Sequence, residues 1–155
     1  MSIWLSEQIE NHDKSKFELF AFSYNNKSND LMQTRLSAAF DHFIEVHNKS
    51  DLEIAQLSRE LGIDIAFDLG GHTSGARPGI FAARAAPIQV NHLGYPGTWG
   101  AGYMDYLIAD EYGLPKESQQ YCTEKVMYVP CGYTYDRQRK VSEAVSYTHL
   151  TLPTI

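Results

Sequence analysis

Strand-length apolar runs alternate with helix-period segments along most of this chain, and that alternation limits its possible folds more than any other feature. Lys16 to Ser23 (KFELFAFS) is dense enough in aromatic and aliphatic side chains for a buried strand. After the polar turn Asn25 to Asn29, Asp30 is placed to cap a helix reaching about Phe40, with Met32, Leu36, Ala39 and Phe40 on one face. Phe43 to Val46 follows as a short strand. Ser50-Asp51-Leu52-Glu53 has the spacing of a capping box, so a further helix is expected over about Asp51 to Leu61, stopped by Gly62. Strands are then expected over Ile63 to Asp68, Ile88 to Leu93, Met104 to Asp110 and Lys125 to Val129. Pro78 opens a short helix through Ala85 that Pro87 ends. Ser2 to Asn11 suits an amphipathic helix that begins before the chain does. Such an order favours a parallel sheet with right-handed crossovers, a Rossmann-like α/β architecture, over a bundle or a sandwich.

With 155 residues, 43% of them hydrophobic and 21% charged, the chain has the length and composition for one core of ordinary size. The net charge of -6 argues against a general grip on nucleic acid or on an anionic membrane. No apolar run approaches the roughly 20 residues that span a bilayer. Met1 is not followed by a basic region and an apolar core, so a cytoplasmic chain is expected, with Cys122 and Cys131 reduced.

Two glycine-containing turns concentrate the chemistry. Gly70-Gly71-His72-Thr73-Ser74-Gly75 follows one expected strand, and Gly94-Tyr95-Pro96-Gly97-Thr98 follows the next. In an open parallel sheet, ligands bind in the crevice outside the carboxyl ends of the strands. The first turn matches neither standard phosphate fingerprint. Its glycines permit backbone approach, His72 offers a donor or acceptor near neutral pH, and Arg77 suits a phosphate or carboxylate. A tight turn with a structural histidine and a surface arginine explains the same residues. In the second turn Pro96 restricts its own backbone and that of Tyr95, which fixes amides against a ligand, although an ordinary turn is the competing reading. The six histidines have no metal-ligand spacing, so no metal is expected. Asp105 and Asp110 receive no role.

The run DLGGHTSGARPGIFAARAAPIQVNHLGYPGTWGAGYMDYLIAD resembles the catalytic region of the O-linked N-acetylglucosamine transferase and SPINDLY family. The motifs that carry the resemblance are D-L-x-G-[HY]-T-x-G-x-R, R-x-A-P-[IV]-Q, L-G-Y-P-G-T-x-G and M-D-Y-x-[IL]-x-D. It covers about Phe17 to Pro130, with weaker similarity to Ser2. The family implies a two-Rossmann (GT-B) glycosyltransferase, often preceded by tetratricopeptide repeats, of which this chain is an incomplete N-terminal half. The implied reaction moves a sugar, N-acetylglucosamine in the first instance, from a nucleotide to protein Ser or Thr without metal or cofactor. The implied partners are the nucleotide-sugar donor and a protein acceptor. By that pattern Leu93, Gly94 and Pro96 lie along the donor sugar, with Tyr95, Gly97 and Thr98 in the same substrate-binding turn. His72, in the same cleft, takes Thr73 and Arg77 with it.

Departures from the pattern shape the expectation equally. The family's His-Pro or His-Ser motif, with its proposed catalytic histidine, should fall just before Ser2 and is absent, so no catalytic residue is assigned. The second half, with the uridine pocket and a diphosphate-binding lysine, is also absent. The 155-residue chain alone is therefore expected to be inactive. Trp99 stands where the family usually has a small residue. The competing functions are a non-catalytic Rossmann-like binding module and a family member using fucose or glucose; an oxidoreductase is disfavoured because no G-x-G-x-x-G opens a helix. Finally, Val145 to Ile155 (VSYTHLTLPTI) resembles a translated sequencing adapter, so residues 1–144 are taken as the natural domain part and His149 is excluded as a ligand.

Overall fold

The computed structural model describes residues 2–24, 31–132 and 136–138. The polar turn 25–29, the Asp30 cap and the 145–155 tail with His149 lie outside the described residues. Helices α1 (Ser2–Glu10), α2 (Leu31–Ala39), α3 (Asp51–Glu60) and α4 (Pro78–Ala82) alternate with strands β1 (Phe20–Ser23), β2 (His42–Glu45), β3 (Ile65–Asp68) and β4 (Ile88–Asn91). Strand β5 (Tyr106–Ala109), a 3-10 turn over Lys116–Tyr121 and strand β6 (Lys125–Tyr128) complete the order. Among the described residues all the pairings are parallel, and the strands hydrogen-bond in two sets, β1-β2 and β3-β4-β5-β6, rather than in one continuous sheet. In the larger set each strand lies beside its successor, and Asp68, the last residue of β3, is in register with Asn91, the last of β4.

Local sequence accounts for most boundaries. The Ser50 hydroxyl accepts from the Glu53 amide at 3.3 Å while the Glu53 carboxylate accepts from the Ser50 amide at 2.7 Å, so the capping box satisfies two amides that the first turn of α3 cannot pair. Gly62, at φ +71°, turns the chain out of α3 in a conformation that costs other residues more. Helix α4 starts at Pro78 as expected but ends at Ala82, earlier than the expected Ala85. Arg84 adopts φ +59° and reverses the chain before Pro87 is reached. Its guanidinium compensates by donating to the carbonyls of Tyr103 and Pro87 and to Asp105 at 2.6–2.9 Å.

The core lies between the sheets and α3 and α4, where Val46, Ile54, Ala55, Ile80, Phe81, Ala85, Trp99 and Met104 pack together. Gln89, fully buried, has its whole amide satisfied: it accepts from the Ala85 amide and donates to the carbonyls of Phe81 and Tyr103. It thereby joins α4, β4 and the connection into β5. On the opposite flank Arg35 of α2 pairs with Glu10 of α1 at 2.6 Å and with the buried Asp136, which ties both helices to the end of the described chain. No helix among the described residues is long and apolar enough to cross a membrane.

Candidate functional site

Both glycine turns emerge at the carboxyl ends of neighbouring parallel strands, β3 and β4, and buried carboxylates build the site between them. Asp68 is 4% exposed. It accepts from the amides of Gly70 (3.0 Å) and Gly71 (2.8 Å) in the first turn and from the indole N–H of Trp99, beyond the second turn, at 2.6 Å. One side chain thus shapes the first turn and clamps it to the second. Three charge-assisted hydrogen bonds offset the cost of taking the carboxylate out of water.

Glu124, before β6, does the same for the second turn. It accepts from the Trp99 amide at 2.7 Å, from the Thr98 hydroxyl at 2.5 Å and from the Thr123 hydroxyl at 3.0 Å. Burial pushes its carboxyl upward, but these hydrogen bonds prevail and hold it below the usual carboxylate range. Asn91 adds a bond from its side-chain amide to the Gly97 carbonyl at 2.9 Å, and its own side-chain oxygen is buried without a partner.

The second turn itself is strained. Leu93, buried, sits at φ +71°, and the Gly94 amide donates across it to the His92 carbonyl at 2.9 Å, the hydrogen-bonding pattern of a γ-turn. A bulky residue persists in that region only where its surroundings dictate it. Here Leu93, Tyr95 and Pro96 line a cavity of about 40 Å³ with Leu107, Asp110 and Leu114 at the ends of β4 and β5. Asp110 is held below its ordinary range by amides from Gly113, Gly132 and Tyr112. Next to the turn, His92 is half-buried, and burial pushes its imidazole toward the neutral form.

The two turns touch through Tyr95. A β-carbon on Gly71, itself at φ +56°, would lie 2.3 Å from that of Tyr95, so only glycine permits the contact. The Tyr95 ring meets the His72 ring edge-on at 5.2 Å. Gly97 gives the same ring room from the other side, since a β-carbon there would come within 2.8 Å of it.

The structure therefore brings together His72, Leu93, Tyr95, Pro96, Gly97 and Thr98. Thr73 lies in the first turn with its hydroxyl folded back on the Gly70 carbonyl at 2.6 Å. Arg77 points elsewhere: its guanidinium is engaged by Asp51 at 2.6–2.7 Å and by the Lys49 carbonyl, and it lies over the Tyr24 ring. Among the described residues, the backbone amides of His72, Ser74 and Gly75 in the first turn and of Tyr95, Gly97 and Thr98 in the second donate to no protein acceptor. They are donors available to a ligand. No group of three or more His, Cys, Asp or Glu side chains among the described residues is arranged to hold a metal ion. Sequence reasoning missed Asp68, Asn91 and Glu124. The one available signal was an aspartate two residues before a glycine pair, the spacing at which an Asx side chain reaches its own downstream amides.

The chain matches the model of glycosyl transferase family 41 over residues 4–150. It is 35% identical over 130 residues to an Arabidopsis thaliana protein named as a probable UDP-N-acetylglucosamine–peptide N-acetylglucosaminyltransferase, SEC, covering 83% of this chain and 13% of the relative. A Caenorhabditis elegans UDP-N-acetylglucosamine–peptide N-acetylglucosaminyltransferase is 38% identical over 124 residues, with 77% and 10% covered. Among solved structures, a Thermobaculum terrenum O-GlcNAc transferase mutant superposes with a TM-score of 0.80 at 35% identity, covering 84% of this chain and 25% of that one. The chain thus spans 10% to 13% of the length of these two curated relatives.

Proposed function

Because the chain belongs to glycosyl transferase family 41, we propose that it forms the sugar-facing part of the first Rossmann half of a GT-B protein O-glycosyltransferase, which moves N-acetylglucosamine from a nucleotide donor to Ser or Thr. The observation that carries this reading is the meeting of the two glycine turns at the carboxyl edge of β3 and β4, where Tyr95 packs against Gly71 and His72 and, among the described residues, six turn amides donate to no protein acceptor. The names of the Arabidopsis and Caenorhabditis relatives support the choice of donor and of a peptide acceptor.

In this reading the acceptor hydroxyl attacks the anomeric carbon from the face opposite the nucleotide, the bond to the diphosphate oxygen breaks so that the nucleoside diphosphate leaves, the hydroxyl proton is released to solvent, and the configuration inverts. The contribution of this chain is positional. Leu93, Gly94 and Pro96 lie along the sugar, and the turn amides donate to its oxygens, dipoles already oriented before the charge shifts. The reading includes no metal and no cofactor other than the nucleotide sugar. It leaves the diphosphate to the rest of the full-length polypeptide, and accordingly the 155-residue chain alone does not turn over. Losing a single oxyanion-type donor already costs about 100-fold to 1000-fold in rate.

The test is a radiolabelled sugar-transfer assay on the full-length polypeptide and on the 155-residue chain, with N-acetylglucosamine, fucose and glucose nucleotides in parallel. Transfer of N-acetylglucosamine by the long form only is the expected result. Preference for another sugar would redirect the donor assignment. No transfer by the long form with any donor would favour a binding module, and transfer by the short chain would place the whole active site within it.

A further inference from the structure

The His72 ring is clamped on two sides, by Tyr95 edge-on at 5.2 Å and by the Trp99 ring tilted at 4.6 Å. Its Nε2 lies 3.0 Å from the Trp99 carbonyl oxygen. A carbonyl accepts and cannot donate, so this contact requires the proton to reside on Nε2. In neutral imidazole the other nitrogen is then an acceptor. Among the described residues no donor reaches Nδ1.

The carbonyl that sets this tautomer is itself immobilised. Trp99 is 6% exposed, its amide is bound to Glu124 at 2.7 Å and its indole N–H to Asp68 at 2.6 Å. Backbone and side chain are thus pinned by two separate buried carboxylates. The imidazole gains a fixed orientation without any contact to its second nitrogen.

We propose that His72 is a specificity-determining hydrogen-bond acceptor, locked by the Trp99 carbonyl as the Nε2–H tautomer so that Nδ1 receives a hydroxyl of the donor's sugar ring. The inference rests on the glycosyltransferase reading above and adds to it an atom, a tautomer and the residue that sets both. A hydroxyl is the matching chemistry, because a lone pair needs a proton donor and an ionised diphosphate has none to give. The sugar, rather than the acceptor peptide, is the source of that hydroxyl because the His72 ring rests against Tyr95, in the turn assigned to the sugar.

Two measurements test this. Long-range nitrogen–proton correlation spectra of the imidazole side chains, recorded on the full-length protein with His72→Gln as the assignment control, should show the Nε2–H pattern for His72. An Nδ1–H pattern overturns the proposal without touching the functional reading. In the transfer assay, His72→Gln keeps an N–H for the Trp99 carbonyl but has no counterpart of Nδ1, whereas His72→Asn places its polar group near the Nδ1 position. The Gln variant should raise the donor KM roughly fivefold to tenfold, the size of one lost hydrogen bond, with the acceptor KM unchanged. The Asn variant should recover part of that loss. An unchanged donor KM in the Gln variant, or a rise confined to the acceptor KM, overturns the proposal. Absence of transfer by the wild-type long form defeats the functional reading and the sugar partner together, and the spectra still decide the tautomer.

Discussion

The indole N–H of Trp99 donates to the Asp68 carboxylate at 2.6 Å, and through this bond a residue 31 positions later closes the first glycine turn. Asp68 stands at the end of β3 and already holds the Gly70 and Gly71 amides, so the bond makes the two turns one unit. It also gives the buried Trp99 a structural duty.

Trp99→Phe tests that duty. The substitution keeps most of the packing against Tyr103 and His72 but leaves a buried carboxylate one donor short, which costs about 1–3 kcal/mol. At roughly 2–4 °C per kcal/mol for a chain of this size, a thermal melt should move down by several degrees. A melting temperature within one degree of wild type would mean that the bond contributes nothing to holding the turns.

Gly71 and Gly75 separate crowding from backbone strain. Both have positive φ, +56° and +80°, but only at Gly71 would a β-carbon collide, 2.3 Å from that of Tyr95, whereas nothing lies within 4 Å at Gly75. Gly75→Ala should therefore cost only the conformational strain, about 1 kcal/mol, and Gly71→Ala about 2–4 kcal/mol, because the Tyr95 turn must also shift. Equal losses in chemical denaturation would show that the turns do not touch as described.

Glu124 makes the stability of the second turn sensitive to acid. Its folded-state carboxyl is held below the ordinary 4.5, so between those values the unfolded chain binds more protons than the folded one. The stability it contributes is present above pH 4.5 and is lost as pH falls through the lower folded value. Glu124→Gln should thus melt below wild type at pH 7, and the gap should narrow as pH drops below 4.5. Parallel curves across that range would count against the ionised network.

The sequence disclosed what local rules control. The Ser50–Glu53 box, the Gly62 stop, the Pro78 start and all six strands are written in adjacent residues, and neighbouring chemistry decides them. What joins distant segments was opaque. Asp68 and Glu124 look like any solvated acid until the fold brings Trp99 to both, and Arg77, read as free for a ligand's phosphate or carboxylate, meets Asp51 of this chain because α3 and α4 pack together. Arg84 ended α4 early for a similar reason, since its positive φ is repaid by Tyr103 and Asp105, about twenty residues away.

Gly94→Val probes the turn assigned to the sugar, and the full-length polypeptide is the background for it. The Gly94 amide closes the tight turn over Leu93, which already carries φ +71°. A valine side chain adds three carbons between Leu93 and Tyr95, in the turn where the sugar is expected to lie against the backbone. If that space is reserved for ligand, the folded protein loses little, because the added methyl groups fill a region that is empty without substrate. Turnover should then fall by about 100-fold or more, as expected when reacting groups are displaced by about an ångström, while the melting temperature drops by only a few degrees. Steady-state transfer rates beside thermal melts of the same preparation separate the two effects. A variant that melts normally and transfers sugar at the wild-type rate would place the donor away from this turn, and with it the role given to Leu93 and Pro96.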